Sequence, residues 1–181
     1  VIAVGIDPGH GMDSAKPGVY DPGAVHGDVH EASIALAVGK LLADQCRQRE
    51  WVPYMTRTSN ADPMPLRERV AWCRARQCTA IVSIHCNSFH DRRAHGTETL
   101  YLASEWVASE VQRRLVVALG TRDRGAKQRD NLAMLRYERV AILVELAFLS
   151  NDSDRAILID PDKQLAAAIA IADGLRATVR L

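Results

Sequence analysis

Apolar and polar positions along this chain follow two rhythms, and the order in which they alternate predicts the fold. A strand-like run occupies residues 1–7, and a Gly/Pro/Asp-rich loop follows from residue 8 to about 27. Helical spacing takes over from about 29 to 49, with Ile34, Val38, Leu41 and Leu42 on one face. Residues 51–57 read as a second strand. Pro65 suits the first position of a helix bearing Leu66, Val70 and Cys73, and residues 79–84 form a short strand rich in β-branched side chains. A further strand, 97–102, leads to Ser104 as N-cap of a helix with Val107, Val111, Leu115 and Leu119, stopped by Gly120. The polar, basic stretch 121–131 reads as a loop, 132–135 as a short strand and 140–144 as a buried one. Asp160-Pro161 opens a last helix whose Leu165, Ala168, Ile169 and Ala172 should face the core. Strands alternating with helices in this way predict an α/β fold. We expect a single domain over residues 1–181, with a twisted, mostly parallel (mixed) sheet flanked by helices on both faces.

Composition narrows the function classes more than it selects one. A chain of 181 residues can bury roughly 70% of its unfolded surface, so a rigid site needs neither disulfides nor oligomerisation, and a monomer is expected. A net charge of +1 gives no general attraction to nucleic acid. No segment approaches the ~20 apolar residues that membrane insertion requires. With no basic or apolar leader, any signal peptide reads as absent or already removed. Cys46, Cys73, Cys78 and Cys86 form no C-x-x-C pair and read as buried thiols rather than a disulfide framework. No repeat, low-complexity tract or linker interrupts the chain.

The chemistry enters through one misplaced charge. Glu145 stands inside Ala141-Ile142-Leu143-Val144-Glu145-Leu146-Ala147-Phe148-Leu149, where an unpaired carboxylate costs several kcal/mol. Either it has a hidden partner or it faces a cleft that uses its charge. His10 follows the first strand, His85 closes the 79–84 strand, and Glu145 closes the 140–144 strand. In a parallel sheet all three reach the carboxyl edge, where α/β folds bind ligands, and Glu31 falls in the first helical turn nearby. Two histidines and a carboxylate are the ligand set of a hydrolytic zinc site with a position left open for water, and a second, non-ligating glutamate is the usual base beside it.

Each residue alone also has a plainer reading. His10 could be a turn residue between glycines, Glu31 the partner of Asp28 in a capping box, and His85 a satisfied core histidine. His26 and His30 compete as ligands but read as exposed. Cys86 is a poor rival because neighbouring strand residues point to opposite faces. His90 and His95 sit in a charged loop and read as solvated.

Taken in order, the motifs resemble the zinc-dependent N-acetylmuramoyl-L-alanine amidases of bacterial cell separation and phage endolysins. They are Asp7-Pro8-Gly9-His10-Gly11, Asp21-Pro22-Gly23-Ala24 before the Glu31 helix, Thr56-Arg57, Leu66-x-x-Arg69-Val70, Ser83-Ile84-His85-Cys86-Asn87-Ser88, Gly96-Thr97-Glu98, and Leu143 through Asn151. The resemblance implies one zinc ion held by His10, Glu31 and His85, with Glu145 as catalytic glutamate. It also implies peptidoglycan as substrate, cut between the lactyl group of N-acetylmuramic acid and L-Ala of the stem peptide, in the cell wall or periplasm. Asn87 could bond the substrate or form a turn. Cys86 replaces a common Ala, and the segment before the last strand lacks a frequent proline. No insert between His85 and Glu145 is long enough to block the site, so an open site is expected. A zinc peptidase acting within the stem peptide and a non-catalytic wall-binding module are the alternatives. Between a phage endolysin and a secreted bacterial enzyme, the absent leader and scattered cysteines favour the endolysin.

Overall fold

The β-branched run that opens the chain becomes the second strand of a six-stranded sheet, and everything else is arranged around it. A computed structural model describes residues 1–179. In chain order the elements are β1 (Ala3–Pro8), two small ribbons formed by β2 (Gly11–Met12) with β3 (Tyr20–Asp21) and β4 (Val25–His26) with β5 (Val29–His30), then α1 (Glu31–Gln48), β6 (Val52–Met55) and α2 (Leu66–Ala75). Next come β7 (Ala80–Asn87), β8 (Thr97–Tyr101), α3 (Glu105–Leu119), β9 (Asp123–Gln128), a 3-10 turn (Ala133–Arg136), β10 (Val140–Phe148), α4 (Asp152–Ile159) and α5 (Pro161–Thr178).

The main sheet runs β6-β1-β7-β10-β8-β9, with every pairing parallel except β10 against β8. From β1 the chain passes through α1 outward to β6, then through α2 back across to β7. The direction of winding therefore reverses between β1 and β7, and an open sheet has its ligand crevice at the carboxyl ends of such a strand pair. Helices α1, α3 and α5 bury one face in a continuous core that includes Val4, Ile6, Val38, Leu42, Val82, Ile84, Val111, Leu115, Ile142, Val144 and Ile171. The other face is covered more thinly, by α2 and the 3-10 turn over Ile81, Ala141 and Leu143. The single α/β domain and its mixed, mostly parallel sheet are as the sequence implies.

Several boundaries differ from the reading of the pattern. Residues 121–131 contain β9 rather than only loop; its Asp-Arg-Gly-Ala-Lys-Gln sequence is polar because it is an edge strand with a solvated flank. Where a strand over 132–135 is expected, Ala133–Arg136 coil into the 3-10 turn, since a strand there would leave Met134 and Leu135 unable to reach the core together. Helix α4 precedes the expected last helix, capped by Asn151, whose side chain accepts from the Asp154 N–H. On α5, Ala168 and Ala172 are buried but Leu165 and Ile169 are more than a third exposed, because the small residues let α3 approach closely. Pro65 is the N-cap of α2, not its first residue, and Ser104 caps α3 by position while its hydroxyl accepts from the Ala141 N–H. All four cysteines are free and buried.

Candidate metal centre

The loop that follows β1 is forced into a shape no ordinary strand end adopts. His10 has φ of 63°, the left-handed region that costs a non-glycine residue on the order of 1 kcal/mol. Two completely buried arginines hold it there. Arg57 donates from Nε to the Pro8 carbonyl (3.0 Å) and from Nη2 to the carbonyls of Gly9 and Ala32 (both 2.7 Å). Arg69 donates from Nη1 to Asp7 Oδ1 (2.9 Å) and from Nη2 to the His10 carbonyl (2.8 Å). Burial would raise the Asp7 pKa, but Arg69, with hydrogen bonds from Ser83 and Thr56, holds it below the ordinary range. Three consecutive carbonyls of the loop and the first turn of α1 are thus tied to one buried charge network.

That network delivers His10 to Glu31 and His85. His10 Nε2 lies 3.0 Å and His85 Nδ1 2.9 Å from the same Glu31 oxygen, Oε1. One ligand atom from each residue lies within 4.8 Å of the others, a grouping able to hold a metal ion. Glu31 is oriented by two backbone donors, Ala24 N–H to Oε2 (2.8 Å) and Cys86 N–H to Oε1 (3.0 Å). Asp21 Oδ2 lies 2.8 Å from His10 Nδ1, which makes that nitrogen a donor and leaves Nε2 facing Glu31. Two glycines make room. A Cβ on Gly9 would fall 2.3 Å from the His85 ring, and one on Gly23 would fall 2.5 Å from Glu31 Oε2.

Glu145 stands next to His85 in register on the neighbouring strand, and Glu98 of β8 stands next to Glu145 on the other side. Strand neighbours in register share a face, so His85, Glu145 and Glu98 form a row along the thinly covered side. The Glu145 oxygen Oε2 is buried with no hydrogen-bond partner among the described residues. Burial pushes its pKa up to about 7; His85 opposes this, while Glu31 and Glu98 add to it. Glu98 is held ionised against its own burial by Lys127 and Arg124. For His10, burial acts downward but Glu31 and Asp21 outweigh it and raise the pKa to about 9.

The structure thus brings His10, Glu31, His85 and Glu145 to one rim. His85 and Glu145 lie within their strands, which run past the ends expected from the apolar pattern. The capping-box reading of Glu31 fails: the N-cap is His30, it makes no side-chain cap bond, and the Glu31 carboxylate turns to the histidines. His26 and His30 lie outside the grouping, Cys86 turns into the opposite core, and His90 is exposed. Asn87 spends its amide on Glu98 (3.1 Å) and its carbonyl on the Ser88 N–H. Asp21, Arg57 and Arg69 stand in motifs visible in the sequence, but only their contacts assign them work.

With this geometry in place, comparison with known proteins is decisive. A sequence model of the N-acetylmuramoyl-L-alanine amidases matches residues 4–177. The chain belongs to this family. It is 36% identical over 176 residues to the uncharacterised protein YqiI of Bacillus subtilis (strain 168), spanning 94% of this chain and 81% of YqiI. To the N-acetylmuramoyl-L-alanine amidase LytC of the same organism it is 32% identical over 176 residues, covering 93% of this chain but only 34% of LytC. The catalytic domain of CwlV, an N-acetylmuramoyl-L-alanine amidase from Bacillus (Paenibacillus) polymyxa var. colistinus, superposes with a TM-score of 0.88 at 30% identity, over 99% of this chain and 100% of that one. Among the described residues no helix is long and apolar enough to cross a membrane.

Proposed function

We propose that residues 1–181 form the catalytic domain of a zinc hydrolase that cleaves the amide between the lactyl group of N-acetylmuramic acid and L-Ala of the peptidoglycan stem peptide, outside the cytoplasm. Family membership supports the substrate class; the donor set and Glu145 support the chemistry.

The residues present fit a zinc ion. Two imidazole nitrogens and a carboxylate oxygen, all donor types that zinc takes, lie within 4.8 Å of one another. Two neutral imidazoles and one carboxylate leave one coordination position without a protein ligand, as catalytic zinc sites do. His10 Nε2, Glu31 and His85 Nδ1 would hold the ion. When bound, zinc supplies Lewis acidity, polarising the scissile carbonyl and making water more acidic.

The observation that carries the reading is the orphaned oxygen of Glu145. An unpaired buried polar atom costs about 1–3 kcal/mol, and a fold has no need of one in this row. Glu145 accepts a proton from the attacking water at Oε2 and returns it to the departing L-Ala nitrogen, which leaves poorly unless protonated. A pKa near 7 leaves both protonation states within reach, and a nearby cation pulls it toward the ionised form that accepts the proton. Asp21 keeps His10 in one tautomer, and the Ala24 and Cys86 amides keep Glu31 from rotating away.

The test is Glu145→Gln, assayed on purified peptidoglycan with zinc measured by emission spectroscopy. The variant should retain about one zinc per chain and lose roughly 10²–10⁴-fold in hydrolysis. Mass spectrometry of the wild-type digest should show intact stem peptides with an L-Ala amino terminus. Peptides cut internally would assign the protein as a peptidase instead.

A further inference from the structure

Beyond Glu145 on the same face lies a cation with most of its hydrogen-bonding capacity unused. Arg124 of β9 donates from Nε to Glu98 Oε2 (2.8 Å), and its guanidinium carbon lies 4.8 Å from the centre of the Phe148 ring. Lys127 donates to the same oxygen (2.6 Å), and Asn87 Nδ2 to the other. Two cations against one carboxylate leave the cluster with a net charge of +1. Lys127 and Asn87 already engage both Glu98 oxygens, so Glu98 has partners without Arg124.

The guanidinium has five N–H donors, and only the one on Nε has a partner among the described residues. Nη1 and Nη2 carry the other four. The side chain is nonetheless restrained, pinned at Nε and laid against an aromatic ring, with 28% of its surface exposed. A restrained guanidinium with a free terminal edge is arranged to take a carboxylate in a paired, two-bond contact at little entropic cost.

Register fixes where that edge lies. Glu98 is the direct neighbour of Glu145, and Phe148 is paired with Asn87, two residues beyond His85. The guanidinium therefore sits about one to two strand spacings from Glu145, roughly 5–10 Å. At about 3.5 Å per residue an extended peptide covers this in about two or three residues, the L-Ala and one or two beyond it. The lactyl group's carboxyl is consumed in the amide, so fixed negative charge near the scissile bond belongs to the peptide.

We propose that Arg124, backed by Lys127, is the subsite for a substrate carboxylate carried by the stem peptide one or two residues beyond the L-Ala. This rests on the amidase reading above and adds a determinant of specificity to it. The subsite would favour substrates whose peptide retains that carboxylate over those in which it is amidated.

Two synthetic muramyl peptides test this, identical except that the second residue carries either a free α-carboxylate or its amide. Wild-type protein should cleave the carboxylate form with the lower KM. Arg124→Gln should raise KM for that form by about tenfold to a hundredfold, keep kcat within a fewfold, and change neither constant for the amide. Arg124→Lys should recover part of the loss. Melting temperature and zinc content are read in parallel. Equal losses on both substrates would reduce Arg124 to an anchor for Glu98, and no loss on either would show that it makes no contact; both overturn the proposal. If wild-type protein cleaves neither compound, the amidase reading fails separately. The subsite is then decided by calorimetry of the free peptides, where tighter binding of the carboxylate form must depend on Arg124.

Discussion

The two faces of the central sheet are cut from the same strands and do opposite work. Along β7, Ala80, Val82, Ile84 and Cys86 turn toward α1, α3 and α5, while Ile81, Ser83, His85 and Asn87 turn the other way. On β10 the division is Ile142, Val144 and Leu146 against Leu143 and Glu145; on β1 it is Val4 and Ile6 against Gly5 and Asp7. The helix-packed face is specified by volume, and swaps that conserve it should cost less than about 1.5 kcal/mol. The opposite face is specified by position, because Asp7, Glu31 and Glu98 each need named partners to stay charged. One pleated backbone, read at alternate residues, supplies a packed core on one side and the candidate site on the other.

The largest effects should separate the faces outright. His85→Ala should abolish zinc retention, and with it hydrolysis, while the melting temperature of the chelated variant stays within a few degrees of chelated wild type. Ile142→Ala, on the packed face of the next strand and fully buried, should cost about 2–5 kcal/mol in denaturant unfolding. Its zinc affinity at 25 °C should match wild type within about twofold. A parallel fall in affinity would mean that the faces are not separable and that packing sets the metal site.

The packed face was the more legible of the two. Helical and alternating periodicities exposed its strands and the faces of α1 and α3, because burial in a continuous core leaves a regular apolar signature. The candidate site was legible in its titratable residues, since Glu145 violates that signature in the middle of an apolar run. Its supports were not. Arg57 and Arg69 stand in motifs of the resemblance, but their work appears only when their guanidinium groups are seen on main-chain carbonyls, which no side-chain pattern encodes. Strand β9, with Arg124 and Lys127, was hidden because an edge strand needs no apolar alternation. Leu165 and Ile169 show the converse error, apolar side chains at helical spacing that the neighbouring alanines leave outside.

The open face should also reveal itself through pH in the metal-free protein. Glu145 binds its proton more tightly folded than unfolded, at about 7 against the ordinary 4.5. A raised pKa means stability is lost as pH climbs from about 4.5 through about 7, by on the order of 3 kcal/mol. Chelated Glu145→Gln should lack this decline. His10 titrates in a later window: raised to about 9, it contributes stability that is complete below about 6.5 and lost as pH rises through 9. Subtracting the variant's unfolding free energy from wild type at each pH leaves the Glu145 contribution together with its coupling to His85, Glu31, Glu98 and His10. A flat difference between pH 4.5 and 7 would show that the carboxyl is solvated or paired in solution.

The subtlest comparison concerns the buried charges that join the faces to the loop. Arg69 is fully buried, so its replacement is bound to lower stability whatever else it does. Arg69→Lys keeps a positive charge near Asp7 but cannot also reach the His10 carbonyl with a second planar donor. Freed from that bond, His10 can relax from its left-handed backbone and carry Nε2 away from Glu31. Zinc affinity should fall by about 10–100-fold, the scale seen when groups that orient ligands are removed. Competition with a chelator at a temperature where the variant is fully folded measures this. Ile142→Ala, which removes buried volume from the helix-packed face, is the control. If both variants bind zinc equally well, Arg69 serves only the fold. If the lysine variant alone weakens, a side chain that never touches the metal governs how tightly the open face can hold it.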